Sequence, residues 1–273
     1  MKFKSRYEAK QPDVQGMVHY TAEEDHVWNI LYERQVKLLS GRACDEYIQG
    51  IRDLEFTAHE IPQIPQVNAH LRALTGWQVA PVAALISSEE FFSLLANKHF
   101  PVATFIRAMA ELDYVTEPDI FHELFGHCPM FANQTYADFV QAYAQLALDY
   151  GSAYWPLMLR LFWFTVEFGL IKTSAGLRAY GGGILSSAEE TVYCIESSTP
   201  QRKVFDAVEV FRTPYRIDRL QCIYYVINDY QQLYDMMQFE IRDFIEQARQ
   251  LGEFSPQFPV EKDNPCIYIG AFG

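Results

Sequence analysis

His122 and His127 stand in the stretch Glu117-Pro-Asp-Ile-Phe-His-Glu-Leu-Phe-Gly-His127, and Glu167 follows forty residues later in Trp163-Phe-Thr-Val-Glu-Phe-Gly169. Two neutral imidazoles and one carboxylate on one face of an octahedron form the ligand set of non-haem Fe(II) oxygenases, because adjacent positions stay free for O2 and co-substrates. The histidine spacing differs from the His-Glu-x-x-His helix of zinc proteases: there is one residue more, and a five-residue step advances roughly 140° around an α-helix. Gly126, directly before His127, permits a break or unwinding at the helix end that swings the second imidazole back toward the first. Each residue alone also has a plainer use, the histidines as core or capping groups and the glutamate as an ion-pair partner. Glu167, however, follows the apolar run Leu157-Met-Leu-Arg-Leu-Phe-Trp-Phe-Thr-Val166. A carboxylate buried there without a partner would be costly, so a cation or a hydrogen-bond donor must meet it.

The elements that would carry these residues are mostly helical. Thr21-Ala-Glu-Glu24 has capping-box spacing, and Val27, Ile30, Leu31 and Leu38 continue a helical stripe that stops at Gly41. Further helices are predicted over 44–54, 67–75, 119–125, 135–150 and 156–172, after Ser87-Ser-Glu-Glu90 through Lys98, from Ser187-Ala-Glu-Glu190, and as one long segment over 230–251. Ile61-Pro-Gln-Ile-Pro65 reads as a loop, and Trp77-Gln-Val-Ala-Pro81 as too short and proline-ended for a central strand. Gln221-Cys-Ile-Tyr-Tyr-Val-Ile227 is β-branched and aromatic enough for a strand. Residues 176–183 form a glycine-rich turn region; Gly181-Gly-Gly183 lacks the Lys-Ser/Thr and the preceding strand of a phosphate loop. The expected fold class is mainly α, with an N-terminal arm over 1–20 and one multihelical catalytic domain with a few short strands over 21–273.

Glu117-Pro-Asp-Ile-Phe-His-Glu-Leu-Phe-Gly-His-Cys-Pro-Met130, Trp163-Phe-Thr-Val-Glu-Phe-Gly-Leu170 and Ala179-Tyr-Gly-Gly-Gly-Ile-Leu-Ser-Ser187 together resemble the tetrahydropterin-dependent aromatic amino acid hydroxylases. The similarity is greatest to the short, bacterial-type phenylalanine 4-hydroxylases and runs from about Tyr20 to about Tyr230. It implies that His122, His127 and Glu167 are iron ligands and that Ser186 fixes an imidazole. It implies a substrate carboxylate on Arg107, braced by Asp119, and a substrate ring between Pro118, Trp163 and Phe168. It places a tetrahydropterin near Leu85, Ile86, Ser88, Phe91 and Glu123. Neighbouring helical side chains point about 100° apart, which lets Glu123 face the pterin while His122 faces iron. Apolar Ile217 stands where similar tyrosine hydroxylases carry an aspartate, which favours phenylalanine over tyrosine. The implied reaction takes L-phenylalanine, O2 and tetrahydropterin to L-tyrosine with Fe(II) as cofactor. Two rivals are a metallohydrolase with Glu123 as base, against which the spacing argues, and a non-catalytic pterin- or amino-acid-binding protein, which the intact ligand trio does not support.

Composition narrows the partners. The chain has 273 residues, of which 49% are hydrophobic and 15% aromatic, enough for one large core. A net charge of −13 opposes contact with phosphate backbones or anionic lipid, so neither nucleic acid nor membrane is expected. Five scattered cysteines without a Cys-x-x-Cys pair fit a reducing cytoplasm. Arg160 interrupts the longest apolar run, and the basic N-terminus lacks the apolar stretch of a secretory signal. Monomer or dimer is expected rather than a tail-mediated tetramer.

Overall fold

The structure is a computed structural model, and it describes residues 5, 7–83 and 86–258. Helix α1 (Ala22–Leu39) starts at the expected capping box, with Thr21 accepting from the Glu24 amide and the Glu24 carboxylate accepting from the Thr21 amide. Helices α2 (Asp45–Asp53) and α3 (Ile64–Leu74) follow. The latter begins inside the segment read as a loop, because Pro65 sits in its first turn, where no N–H donor is needed.

Strand β1 (Gln78–Val82) pairs in parallel with β2 (His99–Ala103) on either side of α4 (Ser88–Ala96). Each strand of this two-stranded sheet has a single neighbour, which is how Pro81 is accommodated in β1. Helix α5 (Gln134–Tyr150), capped by Asn133, and α6 (Trp155–Phe162) come next. The helix expected over 156–172 does not persist: it widens into a π turn over Trp163–Glu167, and strand β3 (Leu170–Thr173) follows. Gly169 marks the change, since a Cβ there would overlap the Tyr180 ring and the Thr165 carbonyl.

The glycine-rich stretch is more ordered than a turn. It contains β4 (Gly176–Ala179) and the one-turn helix α7 (Gly182–Leu185). Helix α8 (Ala188–Glu196), capped by Ser187, then leads to β5 (Gln201–Val204), α9 (Ala207–Arg212) and β6 (Ile223–Ile227). The four strands align in the order β4-β3-β6-β5, antiparallel at β4/β3 and parallel elsewhere. The last helical segment is two helices, α10 (Tyr230–Met236) and α11 (Ile241–Leu251). The chain turns between them, where Tyr150 donates to Glu240 at 2.6 Å and Arg242 covers the same ring.

The core is strongly aromatic. Trp28 meets Phe121 edge-on, Phe121 stacks on Phe125 at 4.8 Å, and Phe131, Tyr136 and Tyr143 are buried along α5 and the turn before it. The chain before α1 is held against this body: Tyr7 stacks on Phe105 at 4.4 Å, and Tyr20 donates to the Thr104 carbonyl. Among the described residues, no helix is long and apolar enough to cross a membrane.

Candidate metal centre and substrate cavity

The histidine pair is brought together by a wider helix, not by a break at Gly126. Phe121–His127 is a π-helix, whose i→i+5 hydrogen bonding makes a five-residue step close to one full turn. The His122 and His127 Nε2 atoms consequently lie 3.1 Å apart. Gly126 is needed for a different reason: a Cβ there would stand 2.6 Å from the Gly182 carbonyl oxygen, so its absence lets α7 pack directly on the π-helix. The second π turn ends on Glu167 and delivers its Oε2 to 3.3 Å from His127 Nε2 and 3.7 Å from His122 Nε2. Adjacent ligands of an octahedron with bonds of about 2.1 Å are roughly 3 Å apart, so the three atoms fit one face around a single ion.

Protonation supports the same reading. Ser186 donates its one hydroxyl hydrogen to the Gly182 carbonyl at 2.8 Å, and therefore accepts from His122 Nδ1 at 2.9 Å. That hydrogen bond fixes a proton on Nδ1, so Nε2 is the ring atom turned toward the other two groups and the one available to a metal. The other imidazole has no such acceptor: His127 Nδ1 is buried against Gly182 with no hydrogen-bond partner among the described residues. Burial lowers His127. Burial also presses His122 down, but the Glu167 carboxylate outweighs it and holds that imidazole up at about 9. Burial would raise Glu167, yet His127 and His122 keep it well below the usual carboxylate range. Without a metal, the raised His122 value keeps a proton among the three groups; a cation that displaces it would meet two ring nitrogens and a carboxylate converging on one point.

Glu123 also offers an oxygen within 4.8 Å of both imidazoles. Burial pushes its carboxyl up to about 8, against the pull of His122. It suits a hydrogen-bonding role better than permanent ligation.

A cavity of about 450 Å³ opens on one side of the trio, a size typical of small-molecule sites. His122, Glu167, Arg107, Pro118, Trp163, Phe168 and Ser186 all line it. Arg107 is buried, and its Nε and Nη2 donate to Asp119 at 2.8 Å each. Burial opposes charge on Asp119, but Arg107 and the backbone amides of Arg107 and His122 hold its carboxyl low. One face of the guanidinium is thereby used. The second Nη2 hydrogen and both Nη1 hydrogens remain for a carboxylate approaching end-on.

Phe91 lies elsewhere. It meets Phe162 edge-on at 5.1 Å, and Phe162 in turn faces His127 at 6.4 Å, so Phe91 reaches the centre through Phe162 and His127. Ser88 begins α4 and Ile86 precedes it; with Phe91 and Glu123 they stand outside the 450 Å³ cavity. Leu85 lies outside the described residues.

Several residues about the site carried no sequence signal. Tyr215 stacks on Trp163 at 4.4 Å, and Gln221 accepts from the Trp163 indole at 3.0 Å. Glu190, buried on α8, accepts from the Gln221 amide and from the Tyr224 hydroxyl, and burial pushes its carboxyl up to about 7.

A family model described as biopterin-dependent aromatic amino acid hydroxylase matches residues 2–253. The chain belongs to the biopterin-dependent aromatic amino acid hydroxylase family. It is 48% identical over 255 residues to the phenylalanine-4-hydroxylase of Pseudomonas aeruginosa, covering 93% of this chain and 97% of that protein. Its structure superposes on phenylalanine hydroxylase from Legionella pneumophila with a TM-score of 0.91 at 60% identity, over 92% of this chain and all of that one. The Chromobacterium violaceum phenylalanine hydroxylase with bound oxidised Fe(III) gives a TM-score of 0.85 at 40% identity, over 93% of this chain and 94% of that one.

Proposed function

We propose that this chain hydroxylates L-phenylalanine to L-tyrosine with O2 and a tetrahydropterin, using iron held by His122, His127 and Glu167. The observation that carries the assignment of the site is the convergence of those three side chains to 3.1–3.7 Å at the edge of a cavity that also contains a buried, half-satisfied arginine. Iron and the reduced pterin, when bound, supply the oxygen activation.

The chain's own residues supply placement. The free edge of Arg107 takes the amino acid carboxylate, and Asp119 keeps that edge oriented. Pro118, Trp163 and Phe168 flank the substrate ring, so that anchoring one end of the molecule presents the other to the metal. Their apolar surfaces keep water from the reacting carbon. Ser186 keeps His122 in the ligating tautomer. The pterin takes a place outside that cavity, near Phe91, Ile86, Ser88 and Glu123.

Ile217 favours phenylalanine over tyrosine as substrate. It lines the cavity and offers no partner to a phenol, while the neighbouring Asp218 is held by Arg216 through both oxygens, at 2.8 and 2.7 Å. The resulting discrimination is modest, because a pocket rejects an added hydroxyl strongly only when it is built to bond the group.

The decisive test is anaerobic Fe(II) loading followed by O2, phenylalanine and tetrahydropterin, with product analysis. Tyrosine in proportion to pterin consumed is the expected result. A folded, fully metallated sample that makes none refutes the assignment.

A further inference from the structure

We infer that Gln221 is a specificity-determining positioning residue, whose single side-chain amide sets the spacing between the Trp163 wall and the loop that carries Ile217. The inference rests on the reading of Trp163 as a wall of the substrate slot.

The hydrogen bonds admit only one arrangement. Gln221 is 4% exposed. Its Oε1 accepts from the Trp163 indole at 3.0 Å, and its Nε2 donates to the carbonyls of Arg216 at 2.8 Å and Arg219 at 3.0 Å. Indole nitrogen only donates and carbonyl oxygen only accepts, so flipping the amide would break all three contacts together. One planar group therefore ties an aromatic side chain on the π turn to two backbone positions that bracket Ile217. Ile217 and Leu220 line the same cavity as Trp163.

The amide is itself fixed from behind. The Gln221 backbone N–H donates to Glu190 Oε1 at 3.1 Å, and the Tyr224 hydroxyl donates to the same oxygen. Tyr215, stacked on the indole at 4.4 Å with planes 19° apart, restrains the ring's tilt but not its sliding in plane. The bond at Nε1 restrains that sliding. Without it, the indole edge and the Ile217 loop are free to separate, and the slot loses its fit to a benzyl side chain.

The test compares the wild type with Gln221→Met, which keeps length but cannot make the three bonds, and with Gln221→Asn, which keeps the amide but cannot span the gap. Each is assayed for kcat/KM on phenylalanine and on tryptophan as a bulkier ring, for tyrosine formed per pterin oxidised, and for bound iron. The expected result is a fall of about tenfold in preference for phenylalanine and a lower yield of tyrosine per pterin, with iron content unchanged. Trp163→Phe, which removes the indole donor and also narrows the slot wall, should shift preference in the same direction, and adding a Gln221 substitution to it should change preference little further, because the bond is already gone. A uniform loss on both substrates, or unchanged preference and yield in whichever variant folds, overturns the inference. Trp163→Ala separates the two levels. If it leaves KM for phenylalanine and ring preference untouched, the reading of Trp163 as a slot wall fails. If it alters them while the Gln221 variants do not, only the role of Gln221 fails.

Discussion

Gly182→Ala should abolish tight iron binding while leaving the protein folded, although residue 182 contributes no side chain to the site. A Cβ built on Gly182 falls 2.4 Å from His127 Nδ1, 2.5 Å from Cε1 and 2.6 Å from Cγ. Ordinary contact between such atoms needs about 3.5 Å, so the ring must retreat by roughly 1 Å. It cannot retreat freely, because it is 1% exposed and the Phe100 ring lies 4.9 Å away. A displacement of roughly 1 Å is about half of a metal–nitrogen bond of about 2.1 Å, enough to remove His127 from the ligand set. Overpacking of this kind costs about 1–3 kcal/mol against a domain stability of about 5–15 kcal/mol, so the variant should still fold. Far-UV circular dichroism should be native, and Fe(II) titration should show a loss exceeding the roughly 10- to 100-fold that follows removal of an outer partner. Wild-type iron affinity in folded Gly182→Ala would mean that the ring is not confined as described, or that His127 is not a ligand.

Three other perturbations follow from the same geometry. Ser186→Ala removes the acceptor at His122 Nδ1 and should weaken Fe(II) binding about 10- to 100-fold, measured by competition with a chelator; unchanged affinity would deny the hydroxyl its tautomer-fixing role. Arg107→Lys cannot serve Asp119 and a substrate carboxylate together, so KM for phenylalanine should rise about 10- to 100-fold while KM for the pterin stays near its original value. Glu190 holds its proton up to about pH 7 in the fold, against about 4.3 in the unfolded chain. A raised carboxyl stabilises the fold below the unfolded value, and that contribution is lost as pH rises through the folded one. Glu190→Gln should therefore flatten the decline in urea-unfolding stability between about pH 4.3 and 7, and a decline equal to that of the wild type would exclude Glu190 as its source.

How much of this was legible in the chain depends on the range of the interaction. Thr21, Ser87 and Ser187 announce their helices because a cap bonds within three residues, and the structure puts helix starts at all three. The His122, His127 and Glu167 set was legible through residue chemistry, although the device that aligns the pair was misplaced. A π turn differs from an α turn by one residue in its hydrogen bonding, and side-chain periodicity over seven residues does not distinguish them. The end of the helix after Trp163 failed for a related reason: Phe164, Thr165 and Val166 are buried under either geometry, so the apolar run carries no mark of where winding changes.

The residues that went unnoticed are those whose function is to hold another residue. Gln221 was read only as the start of a strand, and the strand itself begins two residues later, at Ile223. Its task is set by partners 58 residues back in sequence and by carbonyls of its own loop, neither of which constrains residue type locally. Glycine is the exception among such supporting positions. Gly181-Gly-Gly183 advertises close approach because only the absence of a Cβ admits the His127 ring on one side and the Glu167 carboxylate on the other, where a Cβ at Gly183 would stand 2.8 Å from Oε2. A triplet that resembles a phosphate loop by composition therefore works as a steric gauge: it sets how near α7 can come to two side chains from two different π turns, and so fixes the distance between them.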